Sequence, residues 1–174
     1  MKKEVLKRIF EFLEEKEEQN PPFLWKHKNN IPLTEKDLNI EGDLDLTESD
    51  IEMLPEGLKV GGDLDLSETS IKSLPNGLVI GGNLDLEYTN ITSLPEGLKV
   101  GGNLDLWKSK ITSLPEGLEV GGELNLLSSN ITSLPEGLIV RGDLYIYGIP
   151  LVKYSDEEIR EMIKPGFING RIHR

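Results

Sequence analysis

The sequence ITSLPEGLKVGGNLDLWKSK, residues 91–110, is one of five copies of a single pattern. Each copy opens on an isoleucine, continues with Leu-Pro and a glycine, and closes on a Leu-x-Leu such as Leu104-Asp105-Leu106. A constant period of twenty residues indicates a solenoid, in which each coil buries its apolar residues against neighbouring coils. Solenoids present extended surfaces, so the period favours a binding protein over an enzyme. The opening isoleucines are Ile51, Ile71, Ile91, Ile111 and Ile131.

The Leu-x-Leu segments are predicted to be short strands. Side chains alternate along a strand, so both leucines point inward and the residue between them points outward. The strands should stack into one parallel sheet, with one strand per coil and irregular backbone opposite. The Gly61-Gly62 pair is expected to let the backbone bend where a Cβ atom would clash. The predicted strands are 44–46, 64–66, 84–86, 104–106, 124–126 and 144–146.

Helices are predicted at both ends. Apolar residues from Val5 to Leu13 fall at helical spacing, and Asn20-Pro21-Pro22 ends that helix. Near the other end, Ser155 and Glu158 form a capping box that begins a short helix. Both helices are interpreted as caps on the solenoid, and the N-terminal helix could instead bind a partner. The predicted organisation is one continuous domain with an N-terminal helical cap and connector (1–39), a solenoid (40–151), and a C-terminal cap helix and tail (152–174).

The order Ile-x-x-Leu-Pro-x-Gly-Leu, then Leu-x-Leu-x-x-Ser/Thr, resembles the short twenty-residue leucine-rich repeats of bacteria. Variants with Gly-Gly before the Leu-x-Leu resemble repeats of bacteriophage and gut-bacterial proteins. The resemblance covers roughly residues 40–151. It implies an α+β leucine-rich-repeat solenoid with a parallel sheet on the concave face and helical caps at both ends. Some relatives carry a ligase domain with a catalytic cysteine, and that activity is not expected in a chain without cysteine.

Two departures from that repeat pattern are visible. A hydroxyl residue, for example Thr69, stands where the repeat usually has an inward asparagine, and a glycine such as Gly61 replaces a leucine before the strand. A hydroxyl can bond the backbone in place of the asparagine, so the fold is expected to persist.

The composition limits the kinds of partner. A net charge of −12 argues against contacts to nucleic-acid phosphates and favours a basic partner or a cation. Without cysteine there is no disulfide, thiolate metal site or cysteine nucleophile. Glu4, Glu11 and Glu14 interrupt the first apolar stretch, so no secretory signal is predicted, and no run is long enough to span a membrane. A cytoplasmic location is expected, in the host cell if the chain is phage-encoded.

Aspartates recur at the outward strand position. Asp65, Asp85 and Asp105 form a ladder, and adjacent strands lie about 4.8 Å apart. Each neighbouring pair then repels by about 0.9 kcal/mol in water. Three interpretations remain open: a copied consensus that keeps the sheet soluble, a cation-binding scaffold with few oxygens per ion, or an acidic face that binds protein. The two acidic columns are Asp43, Asp63, Asn83, Asn103, Glu123 and Asp143, and Asp45, Asp65, Asp85, Asp105, Asn125 and Tyr145.

Large side chains replace small or charged ones toward the C-terminal part of the same face. The core does not require them at outward positions, and exposed tryptophan and tyrosine dominate protein interfaces. An alternative is that some of them cover neighbouring backbone. We predict a partner-binding patch centred on Trp107. Its other members are Tyr88, Leu127, Tyr145 and Tyr147, with Asp65, Asp85, Asp105 and Glu87 around them.

No catalytic, cofactor-binding or metal-binding residue is predicted. The two histidines, His27 and His173, fit no hydrolytic triad or zinc spacing. The basic tail 171–174 is interpreted as a solvated end. The sequence therefore predicts a non-enzymatic solenoid that binds a basic or mixed protein surface, in a sharper form a phage-encoded inhibitor of a host or defence protein. A structural, self-assembling repeat protein and a cation-binding scaffold remain alternatives, and the oligomeric state stays open. Neither direct nucleic-acid binding nor membrane binding is expected.

Overall fold

The computed structural model describes Lys26 and residues 32–174 of the chain. A division after Leu38 separates two units. In the first, Asp37 accepts hydrogen bonds from the Lys26 ammonium and from the backbone and hydroxyl of Thr34, the latter two at 2.8 and 2.6 Å. These bonds, that of Lys26 above all, lower the pKa of Asp37 to about 2. The helix predicted for residues 5–13 lies outside the described residues.

The second unit, Asn39–Arg174, is a repeat solenoid built on two parallel sheets. Each coil contributes one two-residue strand to each sheet. The odd-numbered strands form sheet A and the even-numbered strands form sheet B. In chain order they are β1 (Asn39–Ile40), β2 (Leu44–Asp45), β3 (Lys59–Val60), β4 (Leu64–Asp65), β5 (Val79–Ile80), β6 (Leu84–Asp85), β7 (Lys99–Val100), β8 (Leu104–Asp105), β9 (Glu119–Val120), β10 (Leu124–Asn125), β11 (Ile139–Val140), β12 (Leu144–Tyr145), β13 (Phe167–Ile168) and β14 (Ile172–His173).

The strand register follows the twenty-residue period. Leu104 pairs with Leu84 on one side and Leu124 on the other, so equivalent residues of successive coils stack directly. The predicted parallel sheet through the Leu-x-Leu segments is therefore confirmed as sheet B. Sheet A was not predicted. Its signal is a second alternation before each Gly-Gly pair, in which Val100 is buried and Lys99 is exposed.

The core holds the residues that the pattern directs inward. Leu104 and Leu106 have no solvent exposure, and Ile111, which opens the next copy of the pattern, is equally buried. The hydroxyl positions behave as expected from the sequence. Thr69 Oγ1 donates to the carbonyl of Leu66 at 2.6 Å, and equivalent bonds form in the three following coils. Each of these four coils thus satisfies a buried backbone oxygen with a side chain three residues away, whereas the buried hydroxyl of Ser49 in the first coil makes no such bond.

The glycines serve two different purposes. A Cβ atom on Gly101 would lie 2.0 Å from the Gly81 carbonyl oxygen, so the Gly-Gly pair allows successive coils to approach closely. The backbone bends at Gly61-Gly62 and a Cβ atom there would clash, so the prediction for this pair is confirmed, and the structure adds that the clash is with the neighbouring coil. The glycine after Leu-Pro, such as Gly97, has open space around its Cβ position but a φ of +66°. That position needs glycine for its left-handed backbone.

The C-terminal end contains a helix followed by two more strands. A 3₁₀ helix, Pro150–Lys153, precedes α1, Asp156–Met162, which begins at the predicted capping box of Ser155 and Glu158. Beyond α1, β13 pairs with β11 and β14 pairs with β12. The interpretation of residues 171–174 as a solvated end was wrong, because His173 and its neighbour extend sheet B. Across the described part of the chain, no helix is long and apolar enough to cross a membrane.

Candidate partner-binding face

The aspartate column on the outward face of sheet B shapes the turn after each strand. Asp105 Oδ1 accepts the backbone N–H of Trp107 at 2.8 Å. The same bond joins Asp65 to the residue two positions later at 2.9 Å, and an amide oxygen makes it at Asn125. These are Asx turns, in which a side-chain oxygen replaces a backbone acceptor. The repeated aspartate therefore has a structural purpose besides its charge.

The neighbouring column connects successive coils. Asp63 Oδ1 accepts the N–H of Asn83 at 2.7 Å, and Asn83 Oδ1 accepts that of Asn103 at the same distance. Asn103 Oδ1 in turn accepts the N–H of Glu123 at 2.8 Å. This role was not predicted from the sequence. The available signal was that four consecutive coils carry only Asp or Asn here, the two short side chains with an oxygen at that reach.

Carboxyl groups crowd together in the middle of the face. Burial and the charges of Asp105 and Asp85 raise the pKa of Glu87 to about 7. Burial raises the pKa of Asp85, and the charges of Asp65 and Asp105 add to the rise. The hydrogen bond from the N–H of Glu87 acts in the opposite direction. One coil further, Asn125 Nδ2 donates to Asp105 Oδ2 at 2.9 Å and relieves the repulsion. In residues 26 and 32–174, no group of three or more carboxylates and histidines could hold a metal ion.

The predicted anchor lies in a compact aromatic cluster. The rings of Tyr88 and Trp107 meet edge to face with centroids 5.0 Å apart. Lys108 Nζ lies 4.6 Å from the Trp107 ring and donates to the Tyr88 hydroxyl at 3.0 Å. Tyr88 is 43% exposed, whereas Trp107 is half-buried. Lys108, which sequence analysis left out of the patch, is therefore part of it.

The remaining predicted residues lie further along the face. Leu127 and Tyr145 line a depression of about 190 Å³ together with Asp105 and Glu123. Tyr145 also stacks on His173 at 4.5 Å, and burial raises its pKa with help from nearby carboxylates. Tyr147 is more exposed than these, at 67%.

Asp143 contacts two residues of the C-terminal segment at the end of the face. His173 Nε2 and Asp143 Oδ2 are 2.7 Å apart, and the N–H of Arg171 donates to Asp143 Oδ1 at 2.8 Å. Sequence analysis had not assigned His173 to this face, because only the fold places the tail beside Tyr145.

The repeat itself provides an internal comparison for the aromatic cluster. The coil before Tyr88 has Glu68 at the same position, with φ of 57° against 54°. Ser67 occupies the position that corresponds to Trp107. Its backbone N–H donates to Asp65, as that of Trp107 donates to Asp105. Equal backbone geometry forms with small polar residues or with large rings, so the rings are not required for folding.

Fold and face together define a repeat solenoid with a mixed acidic and aromatic surface on one sheet. No family model, no curated protein and no solved structure matches the chain.

Proposed function

We propose that this chain is a non-enzymatic protein-binding solenoid that recognises a basic or mixed protein surface through the outward face of sheet B. The observation that supports this most directly is the pair of Tyr88 and Trp107 at positions where an earlier coil has the polar residues Glu68 and Ser67. Tyrosine and tryptophan are the residue types that most often anchor protein interfaces.

The geometry of the aromatic pair suits an anchor. Contact between the two rings, together with the bond from Lys108 to the Tyr88 hydroxyl, restricts all three side chains before any partner arrives. Side chains that are already ordered lose less conformational entropy on binding. The adjacent depression, lined by Leu127 and Tyr145, offers room for one partner side chain.

The charges of the face favour a partner whose surface is positively charged. Asp65, Asp85 and Asp105 carry carboxylates in one column, and the chain as a whole has a net charge of −12. A field of this sign accelerates association with basic surfaces and disfavours acidic ones. In the sharper form of the proposal, the chain is a phage-encoded inhibitor that covers a basic surface of a host or defence protein. Its membership of the leucine-rich repeats belongs to the same proposal and rests on the sequence pattern.

The test compares an anchor variant that the repeat already shows to be compatible with the fold with a control on the other sheet. Trp107→Ser installs the residue that Ser67 provides two coils earlier, and Val79→Ser is a matched control on the outward face of sheet A, where Val79 is 50% exposed. Candidate partners are captured from a cell extract, purified, and titrated against wild type and both variants. The proposal expects Trp107→Ser to lose about thirtyfold in affinity, with Val79→Ser unchanged. A purified partner that binds Trp107→Ser as tightly as wild type would refute the role of this face.

A further inference from the structure

Among the bonds between coils, two backbone carbonyls at the end of each earlier strand of sheet A accept hydrogen bonds from the coil that follows. The Val100 carbonyl accepts the N–H of Gly121 at 2.9 Å, and the Gly102 carbonyl accepts that of Gly122 at 2.8 Å. Equivalent pairs of bonds connect the other coils. In the last coil the residues at these two positions are Ile168 and Gly170, since their strand and glycine follow the register of the coil before.

A side chain supplies the donors at that end. Arg160 Nη1 donates to the carbonyl of Ile168, and its Nη2 donates to the carbonyl of Gly170 at 2.8 Å. A guanidinium carries several N–H groups in one rigid plane, so a single arginine can bond two separate oxygens. Arg160 thus takes the place of the two glycine N–H groups that a further coil would present.

The arginine is held in position by the helix that carries it. α1 begins at the capping box of Ser155 and Glu158, and Ile159 and Ile163 anchor it in the core with no solvent exposure. Arg160 itself is half-buried. Its location next to Ile159 therefore fixes the guanidinium over the end of the coil.

We propose that Arg160 closes the C-terminal end of the solenoid against pairing with a second copy of the chain. The last strands of a stack expose backbone groups on which another chain can pair, and proteins commonly block such edges. Removing the guanidinium frees the carbonyls of Ile168 and Gly170.

A donor lies at the same end of the solenoid, on the edge strand of sheet B. In every earlier coil the residue equivalent to Ile172 donates its N–H to the next coil, as Leu144 does to Arg171 at 2.8 Å. Ile172 holds this position in β14, the edge strand of sheet B among the described residues. Freed acceptors and this donor would let two last coils pair end to end.

The test measures self-association by sedimentation over a range of protein concentrations. Arg160→Ala is compared with Arg174→Ala, which removes the same charge from the same end but different contacts, those of Arg174 Nη2 with the Tyr154 carbonyl at 2.9 Å and with Asp156 Oδ1 at 2.6 Å. The proposal expects Arg160→Ala to self-associate about tenfold more strongly than wild type, the change that 1.4 kcal/mol produces, while Arg174→Ala behaves as wild type. A folded Arg160→Ala protein that associates no more than Arg174→Ala overturns the proposal.

Hydrogen exchange separates edge pairing from unspecific aggregation. Pairing should slow exchange of the Ile172 N–H in the associated Arg160→Ala protein; association without that protection also overturns the proposal. If Arg160→Ala does not fold, NMR of the wild type decides. Slow rotation of the Arg160 guanidinium, with its N–H protons protected from exchange, supports the closure, and free rotation refutes it.

Discussion

Asp105 accepts the backbone N–H of Trp107 at 2.8 Å, so the acidic column and the aromatic anchor belong to the same turn. A change at the aspartate therefore alters both the charge of the face and the backbone that carries the anchor. Variants meant to test charge should keep an acceptor at this position, as Asn125 does one coil later.

Leu104 and Asp105 are neighbours whose replacement should affect stability differently. Leu104→Ala should lower the free energy of unfolding by about 2–5 kcal/mol, because Leu104 is fully buried and leaves a cavity. The repulsion between neighbouring aspartates, taken alone, would make Asp105→Ala neutral or stabilising. Its bonds to Trp107 and Asn125 now predict a loss of about 1 kcal/mol. Denaturant titration measures both, and Asp105→Asn should lose less than Asp105→Ala. If Asp105→Ala is more stable than wild type, the repulsion between the aspartates costs more free energy than the hydrogen bonds of Asp105 contribute.

The stability of the solenoid should depend on the ionisation of Glu87. The folded protein holds the Glu87 proton up to a pKa of about 7, whereas the unfolded chain releases it near the ordinary value of 4.5. Between these values the folded state binds more protons, so the free energy of unfolding should fall as pH rises from about 4.5 to about 7. Glu87→Gln should flatten this dependence and stabilise the protein above pH 7.

The matched control for Glu87 is Glu96→Gln, an exposed carboxyl on a different side of the coil. Thermal unfolding at several pH values should show the same slope for Glu96→Gln and wild type. Asp45 and Asp143, whose hydrogen bonds lower their pKa, contribute stability that is lost below their ordinary value of 3.8, so their contribution falls outside this window. If the stability of Glu87→Gln depends on pH as steeply as that of wild type, the crowded carboxyl groups do not raise the pKa of Glu87.

The two glycine classes should respond differently to alanine. Gly97→Ala should cost about 1–2 kcal/mol, the penalty of a left-handed backbone at an otherwise open position. Gly101→Ala should cost clearly more, because its Cβ atom would lie 2.0 Å from a backbone oxygen of the previous coil. Chemical denaturation of the two variants makes the comparison. Equal losses would mean that the coils can separate slightly at low cost.

The salt dependence of binding should distinguish the anchor from the carboxylates. Trp107→Ser should weaken binding of a purified partner by a similar factor at low and high salt, because it removes buried contact area. Asp85→Asn keeps an acceptor for the N–H of Glu87 and removes one charge, so its smaller loss should shrink as salt rises. Titrations at two ionic strengths measure both effects. A salt-independent loss for Asp85→Asn would indicate a direct contact instead of long-range attraction.

The features that depend on spacing along the chain were predictable from the sequence. The period gave the solenoid, the alternation of Leu104 and Leu106 gave the buried strand of each coil, and Ser155 with Glu158 gave the start of α1. These are consequences of side-chain direction and local hydrogen bonds, which act within a few residues. Trp107 could be placed on the outward face for the same reason.

The tertiary structure decided the features in which coils meet. Asp63 bonds a backbone group twenty residues away, and the ring of Tyr88 meets that of Trp107 only because successive coils stack in register. Arg160 on α1 bonds the carbonyls of Ile168 and Gly170 because the fold brings the segment after α1 next to the helix. The spacing of residues along the chain did not predict this contact. Such contacts depend on the distance between coils, which the close approach of their glycines sets.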